Sequence, residues 1–315
     1  MNTLRSKRLI GFWVMVFSML GIPGLAQAAG WIPIGTQWDL SSAKGISKSG
    51  QVICIAYQTP GGIDYEHSFL YSKGQMTDLG NLGGSPDITH AYGINNSAQI
   101  VGESNAAYWA GGFWAYQYHA FLYSGGTMTD LGSMEKEAAY AQGINNSGQA
   151  VGYLEWTQGY DSVHHAFFYS GSQMIDIHPQ LPNNEANESY AYGINDSGQV
   201  VGYYYANDGY CHPFLYANGV WQDLGTLDGR DTMAYAINNH GQIVGQGYSA
   251  KGRTNYDWQA CLYSGGQWVE LPPFDVPSKA YAINDAGRIA GMIGSSAGIY
   301  FPHARMPGIF NLLLD

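Results

Sequence analysis

Four histidines recur at one position of a short sequence motif, and histidine readily binds metal ions or transfers protons near neutral pH. They are His67, His119, His165 and His212. The ligands of one metal ion must lie within a few ångströms of it, whereas equivalent positions of a repeat protein lie far apart. We therefore interpret these histidines as residues that make the same hydrogen bond in each repeat. We predict no metal site and no cofactor.

Carboxylates also recur, each directly before a leucine or an isoleucine. They are Asp39, Asp78, Asp130, Asp176, Asp223 and Glu270. Paired carboxylates can perform acid–base catalysis, but an aspartate near a glycine at a strand end more often accepts a hydrogen bond from its own turn. We also predict no G-x-S-x-G nucleophile elbow, no P-loop, no H-E-x-x-H motif and no G-x-G-x-x-G fingerprint. We interpret the recurring carboxylates as structural, and no standard enzyme class is favoured.

The side chains that differ between repeats are mainly aromatic and acidic. Aromatic rings stack on the faces of sugars and dominate protein contacts, while carboxylates accept hydrogen bonds from hydroxyl groups. The residues that we expect to bind a ligand are Trp109, Trp114, Trp156, Tyr160, Tyr204, Trp258, Glu103 and Glu155. The alternative is that aromatic residues continue the strands and pack between repeats. We favour that alternative for Tyr65, Tyr118, Tyr203 and Tyr210.

These side chains are positioned by an internal repeat. The segment at residues 143–152, which reads Gly-Ile-Asn-Asn-Ser-Gly-Gln-Ala-Val-Gly, recurs from Gly45, Gly93, Gly193, Ala236 and Ala282, at intervals of 43 to 50 residues. Alternating residues on either side of an Asn-x-Ser-Gly turn predict a strand, a tight turn and a second strand. The turns resemble calcium loops but lack the alternating carboxylates that such loops require.

A second segment, residues 119–132, follows each copy of the first. It recurs from His67, His165, His212 and, with changes, Gln259, and we assign a degenerate sixth copy to residues 301–313. Its residues alternate before Ser-Gly-Gly turns the chain, which predicts a second hairpin. Each repeat is thus predicted to be a meander of four strands, here called a, b, c and d in chain order.

Six such repeats of about 48 residues predict an all-β fold, a six-bladed β-propeller of four-stranded antiparallel blades. One small sheet cannot bury both of its faces alone, so the blades must stack on their neighbours. A β-solenoid is the alternative, although parallel β-helices have shorter coils. Residues 35–40 resemble an extra d strand, which we predict to complete the last blade and to remove an exposed sheet edge.

The four-strand meander separates two ends of each sheet. The a–b and c–d turns lie at one end, and the b–c and d–a connections lie at the other. We call these the turn end and the variable end, because the turns are short and nearly uniform whereas the other connections are long and all different. Shared residues serve the scaffold, so we expect function at the variable ends. The longest variable segment, residues 103–118, is predicted to be a loop that makes the main ligand contact.

The repeat resembles a known family. The His-Ala-Phe runs at His119 and His165 and the Gly-Ile-Asn-x-Ser-Gly-Gln turns are similar to those of the HAF family of bacterial extracellular repeats. The copies at His67 and His212 differ from His-Ala-Phe by one residue, and the copy at Gln259 differs by two. The resemblance covers nearly all of the chain from about residue 35. It implies export and a β-rich array, and it brings no catalytic residues, since the family is defined by its repeat.

The first residues predict export. Three basic residues, an apolar run at 9–20 and the triplet Ala26-Gln27-Ala28 have the order of a signal peptide that is cleaved after Ala28. The apolar run has 12 residues, whereas a membrane-spanning helix needs about 20. We therefore predict a signal peptide at 1–28, a single six-repeat domain at 29–315, a secreted or periplasmic location and no membrane insertion of the mature chain.

Charge and cysteine content restrict the partners further. Without residues 1–28 the chain has 24 acidic and 10 basic residues, a balance that repels nucleic-acid phosphates, so we predict no nucleic-acid partner. The three cysteines are too few and too scattered for a disulfide framework. Cys54 and Cys261 replace recurring residues and are predicted to be packed thiols, while a disulfide of Cys211 stays open.

Three functions are compatible with these observations. The one that we favour is a module that binds a glycan or a protein through the variable ends. The first alternative is a carbohydrate-active hydrolase or lyase that uses two carboxylates there. The second alternative is a structural component of the cell surface or matrix. The sequence makes no prediction of the oligomeric state.

Overall fold

The regular structure of this protein is built from β-strands. The computed structural model describes residues 40–58, 65–109, 114–178, 186–249, 257–274 and 276–301. These residues form 23 strands, and no α-helix occurs among them. The strands make six small antiparallel sheets, each from consecutive segments of the chain. This is the fold class of a six-bladed β-propeller, and it confirms the predicted class over the solenoid.

The chain divides into two compact units, of which the first contains residues 1–163 and 168–175. The first sheet contains β1 (Leu40–Ile46), β2 (Val52–Gln58), β3 (Tyr65–Ser72) and β4 (Gln75–Asp78). The second contains β5 (Thr89–Ile94), β6 (Ile100–Trp109), β7 (Trp114–Ser124) and β8 (Thr127–Gly132). The third contains β9 (Ala138–Ile144), β10 (Ala150–Gln158), β11 (Asp161–Ser170) and β12 (Gln173–Asp176).

The second unit contains residues 164–167 and 176–315, so it takes a short part of the third sheet. The fourth sheet contains β13 (Ala186–Ile194), β14 (Val200–Ala206), β15 (Cys211–Ala217) and β16 (Val220–Asp223). The fifth contains β17 (Thr232–Ile237), β18 (Ile243–Ser249), β19 (Asp257–Ser264) and β20 (Gln267–Glu270). The sixth contains, among the described residues, β21 (Ser278–Ile283), β22 (Ile289–Ile293) and β23 (Ser296–Tyr300).

A bulge on the a strand explains the glycine that recurs on the b strand. In the second sheet the register shifts between Ala91 and Gly93, opposite Gly102. A Cβ atom on Gly102 would lie 1.8 Å from the carbonyl oxygen of His90, far inside van der Waals contact. Gly152, Gly202, Gly245 and Gly291 meet the a strands of their own sheets in the same way. The bulge therefore brings the two backbones together so closely that only glycine fits.

Asparagine side chains join successive turn ends. Asn95 Oδ1 accepts hydrogen bonds from the backbone N–H groups of Ser97 and Gln99, both at 3.0 Å. Its Nδ2 donates to the carbonyl oxygen of Asn145 in the next repeat at 2.9 Å. Equivalent bonds in the second unit run from Asn195 to Asn238 and from Asn238 to Asn284, both at 3.1 Å. The Asn-x-Ser-Gly sequence thus shapes each turn and links it to the next blade.

The phenylalanine of the His-Ala-Phe motif fills the core. Phe121, Phe167 and Phe214 are completely buried, and Cys261, which replaces this phenylalanine in the fifth repeat, is also completely buried. Phe121 packs in one cluster with residues of the first and second sheets, among them Ile53. The apolar position of the motif therefore binds neighbouring blades together.

All three cysteines are free and buried. This confirms the prediction of packed thiols at Cys54 and Cys261, and Cys211 forms no disulfide. Burial raises the pKa of Cys54 to about 11. Burial, with the charge of Asp231, raises the pKa of Cys211 to about 12. Since the thiolate is the reactive form of cysteine, these two side chains are poor nucleophiles near neutral pH.

The sixth repeat differs from its prediction in register. Ile289 pairs with Tyr300 as Ile100 pairs with Tyr123, so β23 is the c strand and Ser296 stands at the histidine position. The assignment of this segment to residues 301–313 is wrong, because only Gly294 and Ser295 separate β22 from β23. Residues 302–315 lie outside the described residues. So do residues 35–39 of the predicted extra d strand, while residue 40 belongs to β1.

The longest predicted loop is mostly a β-ribbon. Strands β6 and β7 stay paired from Ile100 and Tyr123 out to Trp109 and Trp114, so the prediction of a loop over residues 103–118 is wrong. The β4–β5 connection supports the ribbon, since Gly84 N–H donates to the carbonyl oxygen of Asn105 at 3.0 Å. On β7 the aromatic residues Trp114, Tyr116 and Tyr118 alternate with Ala115 and Gln117, a pattern that favours a strand.

Candidate functional site

The recurring histidine and aspartate of each repeat bind each other. The ring Nδ1 lies 2.7 to 2.9 Å from the carboxylate in the pairs His67–Asp78, His119–Asp130, His165–Asp176 and His212–Asp223. The other oxygen of Asp78 accepts a hydrogen bond from Gly80 N–H at 2.8 Å. Each pair joins the c and d strands of one blade. The structural interpretation is therefore confirmed for these four histidines and four aspartates, whereas Glu270 accepts a hydrogen bond from Ser249 Oγ and Asp39 lies outside the described residues.

A different histidine, His90 on β5, connects two carboxylates in the first unit. Its Nδ1 lies 2.7 Å from Glu103 Oε1, and its Nε2 contacts Glu66 Oε2. Tyr92 donates a hydrogen bond to Glu103 Oε1 at 2.9 Å. We call Glu66, His90, Tyr92 and Glu103 the His90 cluster. It links β3 of the first sheet to β5 and β6 of the second.

Glu103 is the most buried member of the His90 cluster, at 3% exposure. Its Oε2 atom is buried and receives no hydrogen bond. Burial raises the pKa of Glu103, although the hydrogen bonds from His90 and Tyr92 oppose this shift. Burial alone would lower the pKa of His90, but Glu103 and Glu66 raise it overall. The raised pKa values mean that Glu103 and His90 hold their protons to higher pH than the free side chains would.

Three tyrosine rings lie beside the His90 cluster. The rings of Tyr118 on β7 and Tyr140 on β9 have centroids 6.0 Å apart, and Tyr140 stacks on Tyr153 of β10 at 4.8 Å. Burial and the charge of Glu103 raise the pKa of Tyr118. Burial and the hydrogen bond to Glu155 raise the pKa of Tyr140. We call Tyr118, Tyr140 and Tyr153 the tyrosine row; Tyr118 and Tyr140 stay neutral near pH 7.

The second unit has a comparable group. Tyr190 stacks on His164 at 4.9 Å and on Tyr203 at 5.0 Å, and its hydroxyl donates to Glu188 Oε2 at 2.8 Å. Burial and Glu188 raise the pKa of Tyr190. The contact of Tyr118 with Tyr140 confirms that Tyr118 is a strand residue that packs between repeats. Tyr203 is also a strand residue, but its ring contacts lie within its own sheet. Tyrosine beside glutamate is thus a feature of both units.

The four predicted aromatic ligand residues of the first unit lie on the β6–β7 and β10–β11 hairpins. Trp109 and Trp114 are Cα partners at the end of the ribbon, and their side chains lie outside the described atoms. Trp156 on β10 is half-buried, with Lys136 Nζ 4.0 Å from its ring centroid. Tyr160, in the turn between β10 and β11, is fully exposed. Tyr160 is therefore the one of these rings whose whole surface is shown to be open to solvent.

The other predicted ligand residues are on strands. Glu103 and Glu155 lie beside the tyrosine row, and Glu155 accepts a hydrogen bond from Ser162 Oγ at 3.1 Å. Tyr204 belongs to the second unit, where its ring is buried and its hydroxyl donates to Asp223 at 3.2 Å. Trp258, also in the second unit, packs on Tyr248 at 4.2 Å. The expectation that Tyr204 lies on an open loop is wrong, because β14 continues past it.

His90, Tyr92 and Tyr140 were not among the predicted ligand residues. The position of His90 is occupied in the other repeats by Ser42, Tyr140, Tyr190, Met233 and Lys279. A histidine that appears in only one repeat is the kind of residue that the scaffold does not need. That signal could have selected His90, but its contact with Glu66 of another sheet could not be read from local spacing.

One sequence pattern that is typical of catalytic serines occurs in this chain, but the residues do not adopt the backbone structure that catalysis requires. Residues 294–298 read Gly-Ser-Ser-Ala-Gly, which matches the G-x-S-x-G pattern of α/β-hydrolase nucleophiles. In those enzymes the serine stands on a turn from a strand into a helix. Here Gly294 and Ser295 turn the chain between two antiparallel strands, and Ser296 pairs with Ile293. The match is a β-hairpin and does not form a nucleophile elbow.

In the described part of the chain, no group of three His, Cys, Asp or Glu residues is arranged to hold a metal ion. No helix of that part has the length and hydropathy needed to cross a membrane. A cavity of about 30 Å³ beside the sixth sheet is lined by residues that include Leu271, Ile289 and Tyr300. That is room for a few water molecules and far below the roughly 300 Å³ or more of a typical ligand pocket.

Comparison with solved structures concerns the fold. The acylaminoacyl peptidase of Pyrococcus horikoshii aligns with 80% of this chain at 11% identity and a TM-score of 0.51, and the chain spans 43% of that protein. A lectin of Aleuria aurantia in complex with Fucα1-6GlcNAc aligns with 85% of this chain and 97% of its own, at 14% identity and a TM-score of 0.40. The β-propeller domain of the Trilobed protease from Pyrococcus furiosus aligns with 84% of this chain and 96% of its own, at 6% identity and a TM-score of 0.43.

The comparisons assign no ligand to this chain. At 11% identity the peptidase similarity bears on the fold alone, and the other two similarities, with TM-scores below 0.5, carry no argument. No protein-family model matches the sequence. No curated relative matches it either. The function must therefore be argued from the residues themselves.

Proposed function

We propose that this chain is an exported β-propeller that binds a glycan at the variable ends of its blades. The observation that carries the proposal is the tyrosine row with carboxylates beside it. Its rings follow one another at 6.0 and 4.8 Å, and Glu103 and Glu155 flank them. Ring faces pack against the C–H groups of a sugar, and carboxylates and phenols bond to its hydroxyls.

The exposed aromatic side chains also favour the variable ends as the ligand-binding surface. Exposed aromatic residues occur at variable ends, and they include Tyr108, Tyr116, Tyr160, Tyr205 and Phe274. Near the turn ends the exposed apolar residues are the aliphatic Ile46 and Val220 and two aromatic residues of the sixth repeat, Tyr281 and Phe301. Aromatic rings bring large contact area at a small cost in side-chain entropy, which favours them in binding sites. The variable ends therefore have the composition of a contact surface.

A hydrolase that uses the two carboxylates of the His90 cluster is less well supported. Glu66 and Glu103 contact opposite nitrogens of one imidazole ring, so the ring of His90 fills the space between them. A glycosidase needs that space for the scissile bond and, in the inverting case, for a water molecule. The pair is thus arranged to hold a histidine, and binding is the function that its geometry favours.

Glycan and peptide arrays probed with residues 29–315 test the proposal. We expect retention on a subset of glycans, a loss of about tenfold or more in affinity for Tyr116→Ala, and little change for the turn-end control Val220→Ala. Retention on peptides alone would replace the glycan by a protein ligand. Retention on neither array would contradict the proposal.

Export is part of the same proposal. It is supported by the signal-peptide order of residues 1–28 and by the resemblance of the repeats to the HAF family. Terminal sequencing of the protein from the periplasm or medium of a bacterial host is expected to give Ala29 as the first residue. Recovery of the chain from the cytoplasm with residues 1–28 intact would contradict export.

A further inference from the structure

We propose that the glycan is a cationic amino sugar whose ammonium group binds Glu103 beside Tyr118 and Tyr140. This inference rests on the proposed function and specifies the ligand class of the same site. It follows from three features of the first unit: the charge of the His90 cluster, an oxygen atom without a partner, and the aromatic rings that border it.

The first feature is the charge of the His90 cluster. Two carboxylates, Glu66 and Glu103, share one imidazole ring. When His90 is protonated and both glutamates are ionised, the cluster carries one negative charge, and burial raises the pKa of Glu103 against this state. An uncompensated charge in a partly buried site is unfavourable, and a bound cation removes the imbalance.

The second feature is Glu103 Oε2, which is buried and receives no hydrogen bond. The other oxygen, Oε1, already accepts from His90 and Tyr92. An ionised carboxylate has acceptor oxygens only, so only a hydrogen-bond donor can satisfy Oε2. A donor that enters the site, such as an ammonium N–H, would satisfy this atom. The side chains of Glu66 and His90 retain 26% and 19% exposure, which gives a ligand a side from which to approach.

The third feature is the tyrosine row. The faces of neutral phenol rings carry negative quadrupole charge and attract cations, and the raised pKa values keep Tyr118 and Tyr140 neutral near pH 7. The same unit already holds one ammonium in this way, since Lys136 Nζ lies 4.0 Å from the centroid of the Trp156 ring. A cation beside the tyrosine row would use the same attraction.

Only the second repeat has a glutamate at the position of Glu103. Equivalent b-strand positions carry Ile55, Tyr153, Tyr203, Gln246 and Met292. The fold therefore does not need a carboxylate at this place, and burial of one at 3% exposure is destabilising without a compensating role. A ligand that combines hydroxyl groups with an amine matches both the rings and the carboxylate, and an amino sugar is that ligand.

Two oligosaccharides that differ only in the amine provide the test. Calorimetric titration of residues 29–315 compares a glucosamine hexamer with an N-acetylglucosamine hexamer at about pH 6, where an amine is protonated. We expect the glucosamine hexamer to bind at least about tenfold more tightly, because N-acetylation removes the positive charge.

Variants of the His90 cluster test whether the amine binds at Glu103. Glu103→Gln is expected to weaken binding of the glucosamine hexamer by about 30-fold or more, the fold-change that accompanies loss of a buried charge partner. Glu66→Gln, at a more exposed side chain, serves if Glu103→Gln does not fold. Asp161→Asn, an exposed carboxylate on the neighbouring β10–β11 hairpin, removes the same charge and is expected to change affinity by less than about twofold.

The outcomes separate this inference from the proposed function. Equal affinity for the two hexamers, or unchanged affinity in a folded Glu103→Gln or Glu66→Gln variant, would overturn the amino-sugar inference. Binding of neutral glycans on the array would then still support the proposed function. Failure to bind any glycan would overturn both.

Discussion

The hydrogen bond between His67 Nδ1 and Asp78 is 2.8 Å long and joins β3 to β4. The bond to Asp78, against the effect of burial, raises the pKa of His67. Burial alone would raise the pKa of Asp78, but the bonds from His67 and from Gly80 N–H lower it overall. The pair in the fourth sheet behaves similarly at His212, whose pKa is raised by Asp223 and Asp208 against the effect of burial. The pairs therefore make stability depend on pH.

The sign of this dependence follows from the two shifts. The raised pKa of His67 gives stability that is complete below about pH 6.5 and is lost as pH rises through the folded-state value. The lowered pKa of Asp78 gives stability that is present above about pH 4 and is lost as pH falls through its folded-state value. We predict that Asp78→Asn lowers the free energy of unfolding by about 0.5–1 kcal/mol between about pH 4 and 6.5, since both groups are partly exposed.

Thermal unfolding of the wild type and of Asp78→Asn, followed by circular dichroism from acid to alkaline pH, measures this effect. The difference in Tm is expected to shrink above about pH 7. A difference that stays constant across the whole range would show that the pair does not titrate as described. Lys73→Gln, in the adjacent c–d turn, is a suitable control, because it changes one charge without touching the pair.

At the scale of strands and turns, the bulged a strand constrains the b strand. A Cβ atom on Gly152 would lie 1.8 Å from the carbonyl oxygen of Tyr140, and backbone cannot yield as a side chain can. We predict that Gly152→Ala lowers the free energy of unfolding by about 2–4 kcal/mol. Gly298→Ala is the control, because its Cβ atom would meet the flexible Ile293 side chain at 3.1 Å. Urea unfolding should show a change below about 1 kcal/mol for that control, and equal effects of both variants would contradict the argument.

The turn ends lead to a further prediction. Asn95 is 4% exposed, and its side chain makes four hydrogen bonds, including one to the next repeat. We predict a loss of about 2–4 kcal/mol for Asn95→Ala, because buried partners are left unpaired. Asn96→Ala removes one exposed bond, which Asn96 Oδ1 accepts from Lys48 N–H at 3.0 Å, and should cost less than about 1 kcal/mol. If the two variants unfold at the same urea concentration, the side chain of Asn95 does not link the blades as described.

The strands and turns also show what the sequence can predict. The a–b and c–d hairpins were predictable, because glycine and asparagine at a turn act over a few residues. The extension of β6 and β7 was missed, although Gly111-Gly112 between aromatic residues is itself a hairpin signal. The contact of Glu66 with His90 crosses 24 residues and two sheets, so it depends on how blades stack. Tyr204 was misplaced for a different reason, since its ring and hydroxyl contact Trp221 and Asp223 on β16, a non-adjacent strand of the same sheet.

At the scale of the whole molecule, six repeats form a propeller. The turn ends of its blades are nearly uniform in sequence, and the variable ends all differ. The shared turn ends carry the asparagine links, and the recurring histidines and aspartates hold strands c and d together. The chain has a formal charge of −11, which attracts cationic ligands over neutral or anionic ones. Ligand recognition is accordingly assigned to the variable ends.

Hydrogen–deuterium exchange of residues 29–315, with and without the oligosaccharide that the array retains, tests this assignment most directly. The account predicts slower exchange on the β6–β7 ribbon at residues 104–118 and on the β10–β11 hairpin at residues 156–163. The a–b turns at residues 95–99 and 145–149 should exchange at the same rate in both states. Slower exchange confined to those turns, with the ribbon unchanged, would contradict the account.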